Sequence, residues 1–514
     1  MNRRWKVAAG FALALVACRD SAGPSAGGTG ALMLGIVPSP SGGATHLDSG
    51  YVRVHGPTEA AVKATPGQPV TIAGLAPGTY TVELEGYDLG GLAYFGQASG
   101  VVVTAGQTTH ATSSFDPLKL VFRVQPVSVR TGRVMAPSIK VGIALPNDSV
   151  VARATNSVTI AMGTNPTGAA LSGIQTVAAV NGVATFDNLA VSETGSGYTL
   201  GASSGSLPGA TSTSFSVTAR AVVASYGAST HTVAVIETAT NTVIDTVIVG
   251  TGPIMAAITP DGSRAYVTNY FSGSVSVIAL ATNTIIGTVT VGTSPYGIAV
   301  TPNGNFVYVS NSGSNSVSVI RTSDNTLVGS PITVGATPYG LGITPDGIRV
   351  YVANYASNNL SVIQTSNNTV IGSPIATGTG PFGVAFRPDN AFAYVPNYGS
   401  GTVSVINVAT GAATTVTVGN QPYMVGVRPD GQFAYAVNAG TSNVRVFSTA
   451  NNAVATTITV GSSPHDVAFS PGGKFAYVTS LAGNTVSVIS TASNTVKGTI
   501  TVPTPWGVAV RAGP

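Results

Sequence analysis

The sequence predicts an all-β protein in which a seven-bladed β-propeller is preceded by two small β-sandwich domains. The main observation is a repeat of 41 to 43 residues that runs through 221–511, a period typical of propellers and solenoids. Within each copy the apolar runs are short and β-branched, which favours strands over helices. Charged residues make up only 8% of the chain, as expected where blades stack against each other on both faces.

One copy, 294–335, shows where the strands are expected. G-I-A-V at 297–300 ends at the turn signal P-N-G, and F-V-Y-V at 306–309 stops at a cluster of Ser, Gly and Asn. V-S-V-I at 317–320 alternates with period two, and a turn at Asn325 leads to a last apolar run. Four short antiparallel strands in one repeat predict a propeller blade. Every copy is anchored by a proline at its inner strand: Pro253, Pro295, Pro338, Pro381, Pro422, Pro464 and Pro505.

The two ends of the repeat region predict how the ring closes. The seventh inner strand, at 506–510, has no companion strands after it. The missing three precede the first inner strand, as apolar runs at 221–223, 232–236 and 243–249. Joining them completes a seventh blade and removes the open sheet edges that invite aggregation. A closed ring over 220–514 is therefore predicted.

The second strand of the blades carries a family resemblance. Tyr266-Val267-Thr268-Asn269 is echoed at 308–311 and 351–354, and these strings resemble the YVTN-repeat β-propeller family of surface-layer and surface-antigen proteins. The resemblance covers 221–511 and implies a propeller at a prokaryotic cell surface. Ser480 in place of Asn, Gly472 in place of Asp and a first blade without the Tyr-Val signature depart from the pattern. The family is functionally broad, so it implies no activity.

The N-terminus has the features of an export signal. Three basic residues by position 6 precede a short apolar run at 7–16, and Leu15-Val16-Ala17-Cys18 looks like a bacterial lipobox. We expect a lipoprotein signal peptide at 1–17, lipidation of Cys18 and a flexible tether at 18–30. The protein would then be exported and held at the cell envelope by a lipid in the membrane. The alternative is an ordinary signal peptide with a chance cysteine.

Two segments between the tether and the propeller are predicted to be β-sandwiches. The first, 31–117, contains a Pro-Gly turn that feeds an alternating strand at 79–84, and it is similar to small prealbumin-like or carboxypeptidase-regulatory-like modules. The second, 118–219, has strands about ten residues apart and resembles bacterial immunoglobulin-like domains of invasin type. Such modules act as spacers, so the resemblance implies a stalk.

Charge and cysteine content exclude some classes of partner. Removing Arg3, Arg4 and Lys6 with the signal leaves 19 basic side chains against 18 acidic ones, from totals of 22 and 18. No basic patch with interleaved aromatic residues remains, so no nucleic-acid partner is expected. Cys18 is the only cysteine, so the chain forms no internal disulfide and its stability comes from packing.

Catalytic and metal-binding signals are sparse. The histidines are scattered without metal-ligand spacing, and no nucleophile elbow or phosphate-binding loop is present. The Asp-Gly pairs at 261, 346 and 430 lack further calcium ligands, and Asn303 takes the same place in another blade, so we interpret them as hairpin turns. The Asn-Thr pairs, as at Asn241 and Asn325, are interpreted as turns too. No catalytic residue, metal or cofactor is predicted.

One set of residues forms a candidate ligand site. Because inner strands begin at one end of the central channel, the residues that follow the anchoring prolines should form a ring around its mouth. They are Ile254, Tyr296, Tyr339, Phe382, Tyr423, His465 and Trp506, and Asp466 adds a carboxylate beside His465. Asparagines at the ends of the second strands are expected to frame this ring: Asn269, Asn311, Asn354, Asn397 and Asn438.

Aromatic faces with amides around them suit a sugar, a peptide or another flat polar ligand. The alternative is structural, with aromatic side chains wedged between blades and asparagines capping turns. His465 and Asp466 are adjacent on a strand and should point to opposite faces, so they are not expected to act as one acid–base pair.

These observations favour a non-enzymatic, monomeric surface protein whose propeller is a binding or adhesion head on a β-sandwich stalk. Its partner would be an unidentified surface glycan, peptide or envelope protein. One alternative is a propeller enzyme of lactonase or lyase type, which predicts several acidic and histidine residues at the channel mouth. Another is a scaffold subunit of an envelope assembly complex.

Overall fold

A computed structural model of the chain describes residues 11–13, 28–34, 36–37, 48–64, 69–88, 91–111, 114–227, 229 and 231–510. Cys18, and most of the predicted signal peptide and tether, lie outside these residues. Inside the predicted signal peptide, Phe11–Leu13 forms a short strand that pairs with Ile36–Val37 and with Ser114–Pro117. The described chain consists of strands, turns and one 3-10 helix, Ala439–Thr441, with no α-helix. The all-β prediction is confirmed.

The chain divides into two compact units. The first holds most of the described residues up to Ser216, and the second holds 217–510 together with the short segments 130–132 and 192–196. We describe each unit by itself.

The N-terminal part of the first unit contains a seven-stranded and a three-stranded sheet. Their strands are Phe11–Leu13, Gly30–Leu34, Ile36–Val37, Ser49–His55, Ala60–Ala64, Val70–Leu75, Gly78–Asp88, Gly91–Val103, Thr108–His110 and Ser114–Pro117. Side chains alternate between buried and half-buried along Gly30–Leu34 and Ser49–His55. This alternation places Leu32, Leu34, Val52 and Val54 in the core because successive strand residues face opposite sides.

A second group of sheets follows. Its strands are Lys119–Val124, Val129–Arg130, Ile139–Ala144, Ser157–Met162, Leu171–Ser172, Thr176–Ala178, Val183–Phe186, Ala190–Val191, Gly195–Tyr198, Leu200–Ser204, Leu207–Thr211 and Phe215–Thr218. They form two three-stranded sheets, one four-stranded sheet and one strand pair, and none of these described sheets includes a strand from before 119. The described sheets of this unit therefore fall into two groups, one built from strands before Lys119 and one from strands after it.

Seven antiparallel sheets make up the propeller, numbered here as blades 1 to 7 in chain order. Blade 1 contains Arg220–Ser225, Thr232–Glu237, Thr242–Ile248 and Pro505–Val510. Blade 2 contains Pro253–Ile258, Arg264–Asn269, Ser274–Ala279 and Thr284–Thr290. Blade 3 contains Pro295–Val300, Phe306–Asn311, Ser316–Arg321, Thr326–Leu327 and Ile332–Thr333. Blade 4 contains Pro338–Ile343, Arg349–Asn354, Asn359–Gln364 and Thr369–Ala376.

In the remaining blades, as in blades 2 to 4, the strands follow one another in the chain from the inner strand at the channel to the outer strand. Blade 5 contains Ala385–Phe386, Phe392–Asn397, Thr402–Asn407 and Ala413–Thr417. Blade 6 contains Pro422–Val427, Phe433–Asn438, Asn443–Ser448 and Val454–Thr459. Blade 7 contains Pro464–Phe469, Phe475–Ser480, Thr485–Ser490 and Thr495–Thr501. Two blades depart from the regular pattern: the outer strand of blade 3 is split, and the inner strand of blade 5 is shortened.

The ring closes in blade 1 as the sequence predicts. Its inner strand, Pro505–Val510, comes from the C-terminal end and pairs antiparallel with Arg220–Ser225, with Val508 opposite Val223 and Val510 opposite Ala221. This pairing covers the edge of Arg220–Ser225 that would otherwise be open.

Blades are buried on both faces, which explains the low charge of the chain. In Ser274–Ala279 the first five residues are buried whichever way they point. The outer strand of the same blade, Thr284–Thr290, is mostly exposed. Valine, isoleucine and serine at the stacked positions avoid the cost of burying charge between sheets.

The tyrosine of the second strand joins each of four blades to the next. Its hydroxyl donates a hydrogen bond to the side-chain oxygen of the turn asparagine in the following blade. The bonds are Tyr266 to Asn325 at 2.7 Å, Tyr308 to Asn368 at 2.6 Å, Tyr435 to Asn494 at 2.5 Å and Tyr477 to Asn241 at 3.1 Å. These asparagines have positive φ, so the Asn-Thr pairs are turns as predicted. The last bond joins blade 7 to blade 1 and closes the ring.

Candidate functional site

The inner strands bring the predicted aromatic residues together at one mouth of the channel. Six rings form an unbroken series of neighbours. The distances between the centroids of neighbouring rings are 4.7 Å for Tyr296 and Tyr339, 4.7 Å for Tyr339 and Phe382, 4.5 Å for Phe382 and Tyr423, 4.4 Å for Tyr423 and His465, and 4.0 Å for His465 and Trp506. Ile254 is buried beneath the same cluster. We call these six rings the aromatic mouth.

Contacts across the channel join rings that are not neighbours in this series, so the six rings of the aromatic mouth form a packed floor. Tyr296 lies 5.6 Å from Phe382, Tyr423 lies 5.9 Å from Trp506, and the indole Nε1 of Trp506 donates a 3.0 Å hydrogen bond to the Tyr296 hydroxyl. Tyr296, Phe382 and His465 are buried, whereas Tyr339, Tyr423 and Trp506 are half-buried. A ligand would therefore lie on the accessible faces of the last three.

A second tier of tyrosines surrounds the aromatic mouth, and the sequence reasoning missed it. Tyr226 lies 4.6 Å from Trp506, Tyr355 lies 5.0 Å from Tyr339, and Tyr398 lies 5.1 Å from Tyr423. Three members of this tier directly follow the asparagine of the second strand, at 270, 355 and 398. The repeated Asn-Tyr pair was the signal that could have revealed them.

His465 is neutral and oriented. Its Nδ1 lies 2.8 Å from the carbonyl oxygen of Ser463, so Nδ1 carries the hydrogen and Nε2 keeps its lone pair. Nε2 has no hydrogen-bond partner among the described residues. Burial lowers the pKa of His465 from 6.5 to about 4, against the smaller opposing effect of the Ser463 carbonyl. The imidazole is thus an unprotonated acceptor at neutral pH.

Asp466 connects two inner strands. One carboxylate oxygen accepts a 2.8 Å bond from the backbone N–H of Val467, and the other accepts a 2.8 Å bond from Val508 in blade 1. Burial raises the pKa of Asp466 to about 6, and the two backbone donors oppose that shift. His465 and Asp466 bond different groups, in agreement with the expectation that they do not form one acid–base pair.

Glycine at the position of Asp466 lets adjacent inner strands approach closely in several blades. A Cβ on Gly340 would lie 2.5 Å from the carbonyl oxygen of Phe382, and the Gly340 N–H donates a 2.7 Å bond to that same oxygen. Met255 and Met424 occupy the equivalent position in two other blades and pack beneath the aromatic mouth. The Asp466 carboxylate therefore provides, between blades 7 and 1, a connection that the backbone provides directly elsewhere.

The expectation that asparagines frame the mouth is wrong. Asn269, Asn311, Asn354, Asn397 and Asn438 are fully buried. Their amide groups donate within the blade, for example from Asn269 to Ser276 at 2.9 Å and from Asn397 to Ser404 at 2.9 Å. In these blades the serines of the third strand satisfy the amide nitrogens, whereas the buried side-chain oxygens of Asn269 and Asn397 have no hydrogen-bond partner among the described residues. The structural interpretation is therefore correct for the asparagines.

The Asp-Gly pairs are turns, as the sequence indicated. The Asp261 carboxylate accepts bonds from the Thr259 hydroxyl and the Ser263 N–H, and Asn303 makes the matching contacts in blade 3. Among the described residues no three His, Cys, Asp or Glu side chains are grouped to hold a metal ion. In the same part of the chain, no helix is both long and apolar enough to cross a membrane.

Comparisons with known proteins agree with the propeller. The family described as "Lactonase, 7-bladed beta-propeller" matches residues 246–370 and 364–504. No curated protein matches the chain.

Two solved structures resemble the chain in fold. One is a Desulfotomaculum acetoxidans protein of unknown function, with 17% identity, a TM-score of 0.51 and coverage of 57% of this chain and 99% of that one. The other is a candidate 6-phosphogluconolactonase from Bacteroides uniformis, with 19% identity, a TM-score of 0.52 and the same coverage. At these identities the likeness shows the fold alone.

Proposed function

Since the chain belongs to the seven-bladed β-propeller lactonase family, we propose that its propeller is an enzyme of lactonase type that opens a sugar-derived lactone at the aromatic mouth. The observation that carries the proposal is His465, an oriented and unprotonated imidazole placed between the rings of Tyr423 and Trp506. This proposal replaces the non-enzymatic head as the first choice, because the family match favours the enzyme alternative.

The aromatic mouth suits a sugar-like ring. The half-buried faces of Tyr339, Tyr423 and Trp506 offer apolar surface to the C–H face of such a ring. Burial raises the pKa of Tyr339 and of Tyr423, so both hydroxyls stay protonated at neutral pH and can donate hydrogen bonds. Asp466 is an acidic residue at the mouth, but both of its carboxylate oxygens already accept hydrogen bonds from backbone N–H groups. A neutral or weakly polar lactone therefore fits better than a strongly cationic ligand.

Ring opening at this site would proceed as a general-base hydrolysis. Water adds to the lactone carbonyl carbon while Nε2 of His465 accepts one of its protons. The bond between that carbon and the ring oxygen then breaks, and the departing oxygen takes the proton back from the imidazole. The product is the open hydroxy acid. An imidazole with a pKa near 4 is a weak base, so the reaction is expected to be slower than with a base whose pKa lies near the working pH.

A non-enzymatic binding head is the second candidate. It is supported by the low accessibility of His465, which is 3% exposed, and by the engagement of both Asp466 oxygens with the backbone. Under this proposal the aromatic mouth holds a sugar ring, as part of a surface glycan, without opening it.

One set of measurements separates the two candidates. The full chain is mixed with five- and six-membered aldonolactones, acid release is followed by titration, and binding of the matching non-hydrolysable sugars is measured by calorimetry. The enzyme predicts acid release above the spontaneous rate that His465→Gln abolishes and Tyr339→Ala weakens mainly through KM. Binding without acid release supports the binding head. If neither binding nor acid release occurs, both candidates are wrong.

We also propose that the protein is exported and anchored to the cell envelope through a lipid on Cys18. The basic start, the short apolar run and Cys18 support this placement. Cys18→Ala should abolish incorporation of labelled fatty acid and release the protein from membranes or leave it unprocessed, whereas Ser21→Ala should have no effect. Unchanged membrane partitioning and mature size for the Cys18 variant would contradict the anchor.

A further inference from the structure

A groove on the propeller runs between blades 2 and 3. It has a volume of about 700 Å³, which lies within the range of roughly 300–1,000 Å³ typical of ligand pockets. One wall is formed by the turn after the second strand of blade 2, at 270–273, and another by the connection at 290–294. Blade 3 contributes Ser314, Ser316, Pro331 and Thr333. We call this the interblade groove.

The interblade groove is lined by hydroxyl groups and carries no charge. Among the described residues that line the groove, none is acidic or basic, and Tyr270 is the only ionisable one. The hydroxyls of Thr290, Thr293 and Thr333 have no hydrogen-bond partner among the described residues. Unengaged hydroxyls of this kind both donate and accept, which is what a neutral ligand with many hydroxyl groups requires.

Phe271 supplies an exposed aromatic platform in the groove. Its side chain is 50% exposed, which is unusual for a phenylalanine. The ring is nevertheless held in place: it lies over Gly252, where a Cβ would come within 2.3 Å of it, and its centroid is 5.1 Å from that of Tyr270. Ala356 and Gly399 occupy the same place after the Asn-Tyr pairs of blades 4 and 5. The platform is therefore specific to blade 2.

An aromatic track joins the groove to the mouth. Phe271 stacks on Tyr226 at 5.9 Å with an interplanar angle of 24°, and Tyr226 lies 4.6 Å from Trp506. Tyr270 lines the groove and packs beside Tyr296, 6.4 Å away. Aromatic side chains therefore connect the groove with the channel mouth on two sides, toward blade 1 through Tyr226 and toward blade 3 through Tyr270.

We propose that the interblade groove is a binding subsite for a neutral oligosaccharide, with Phe271 as the stacking platform and the threonine hydroxyls as hydrogen-bonding partners. The split outer strand of blade 3 argues against a peptide. Pro331 lacks an N–H and interrupts the edge between Thr326–Leu327 and Ile332–Thr333, so an added peptide strand would lose ladder bonds. The proposal concerns binding alone and does not depend on ring opening at the mouth.

Calorimetry on the full chain tests the proposal with neutral gluco-, xylo- and N-acetylchito-oligosaccharides of increasing length. We expect at least one series to gain affinity with length, with little change between low and high salt because no charges take part. Phe271→Ala should weaken the longer members more than tenfold, and Thr293→Val should weaken them severalfold while keeping the side-chain shape. Ile286→Ala, which removes a similarly exposed apolar side chain from the outer strand of blade 2, should leave affinity unchanged.

Three results would overturn the proposal. They are no binding by any series, equal affinity of the parent and Phe271→Ala for the longest member, and capture of an extended peptide in preference to every sugar. Melting temperatures of both groove variants within a few degrees of the parent ensure that lost affinity is not lost folding. Because the readout is binding, a parent that binds oligosaccharides but hydrolyses no lactone would reject the proposed enzyme and leave the groove intact.

Discussion

The indole Nε1 of Trp506 donates a 3.0 Å hydrogen bond to the hydroxyl of Tyr296, a residue 210 positions earlier in the chain. Trp506 belongs to the inner strand of blade 1 and Tyr296 to that of blade 3, so the bond spans the channel mouth rather than joining neighbouring blades. Burial raises the pKa of the Tyr296 hydroxyl well above its ordinary value. This hydroxyl therefore stays protonated, and a lone pair of its oxygen accepts the hydrogen bond that the indole N–H donates.

Trp506→Ala should destabilise the propeller by on the order of 3 kcal/mol, because it removes a large packed ring and leaves the Tyr296 hydroxyl without its donor. Trp506→Phe keeps one aromatic ring but loses the donor and part of the packed surface, so it should cost about 1–3 kcal/mol and less than Trp506→Ala. Chemical denaturation of both variants measures the difference. If Trp506→Ala unfolds at the parent's denaturant concentration, the indole is not part of the packed floor.

Removing the strand Pro505–Val510, by ending the chain at Thr501, should expose Arg220–Ser225 as an open edge. We expect aggregation or a large fall in melting temperature, since a long apolar edge is a template for pairing with other chains. Adding a peptide of residues 502–514 should restore the monomer by replacing the missing strand. A truncated chain that remains monomeric, with the parent's thermal transition, would contradict closure through this strand.

Tyr308→Phe should cost about 1 kcal/mol, because the Tyr308 hydroxyl donates to Asn368 of the next blade at 2.6 Å. Tyr351 offers a matched control: it is equally buried, but Gly411 stands where the next blade would present an asparagine. Tyr351→Phe should therefore cost less. Equal losses in urea denaturation would show that the Tyr–Asn bonds do not stabilise the stacking of blades.

His465 and Asp466 should oppose each other in the pH dependence of stability. The folded pKa of His465 is about 4 against an ordinary 6.5, and that of Asp466 is about 6 against 3.8. Between pH 6 and pH 4 the unfolded chain holds a proton at His465 that the folded chain lacks, and the folded chain holds one at Asp466 that the unfolded chain lacks. The two contributions to the free energy of unfolding nearly cancel.

Single substitutions should reveal each contribution. In Asp466→Asn only His465 remains, so the free energy of unfolding should fall relative to the parent as pH is lowered, by up to about 1.4 kcal/mol per pH unit. In His465→Gln only Asp466 remains, and the free energy of unfolding should rise by a similar slope. Urea denaturation at several pH values between 4 and 6.5 measures both. Parallel profiles for the three proteins would contradict the shifted pKa values.

The propeller was predictable from the sequence because its signals repeat. The prolines, the Tyr-Val strings and the Asn-Thr turns each recur at one spacing, so a weak local preference is strengthened by every further copy. The ring around the mouth followed from the same phase, since the residue after each proline must lie at the start of an inner strand.

What the sequence could not predict depends on side-chain contacts within the blades, which the repeat spacing does not specify. The sequence places Phe271 in an ordinary turn, and nothing in the pattern shows that its ring lies over Gly252 of the same blade. Asn269 and Asn397 were expected to face a ligand. That expectation failed because strand alternation does not show which polar side chain has a hydrogen-bonding partner in the interior. Their contacts with the serines of the third strand depend on side-chain direction, which spacing alone leaves open.

The pairing of Ser225 with Pro505 and the bond from Tyr477 to Asn241, 236 residues apart, have a kinetic consequence. Blades 2 to 7 are built from strands close together in the chain, so each can form early, whereas blade 1 needs its last strand from the far end. Contacts of such long range form slowly because the intervening chain must be ordered first. Closure should therefore be the final step of folding, and until then Arg220–Ser225 offers its edge to any chaperone or neighbouring chain that arrives first.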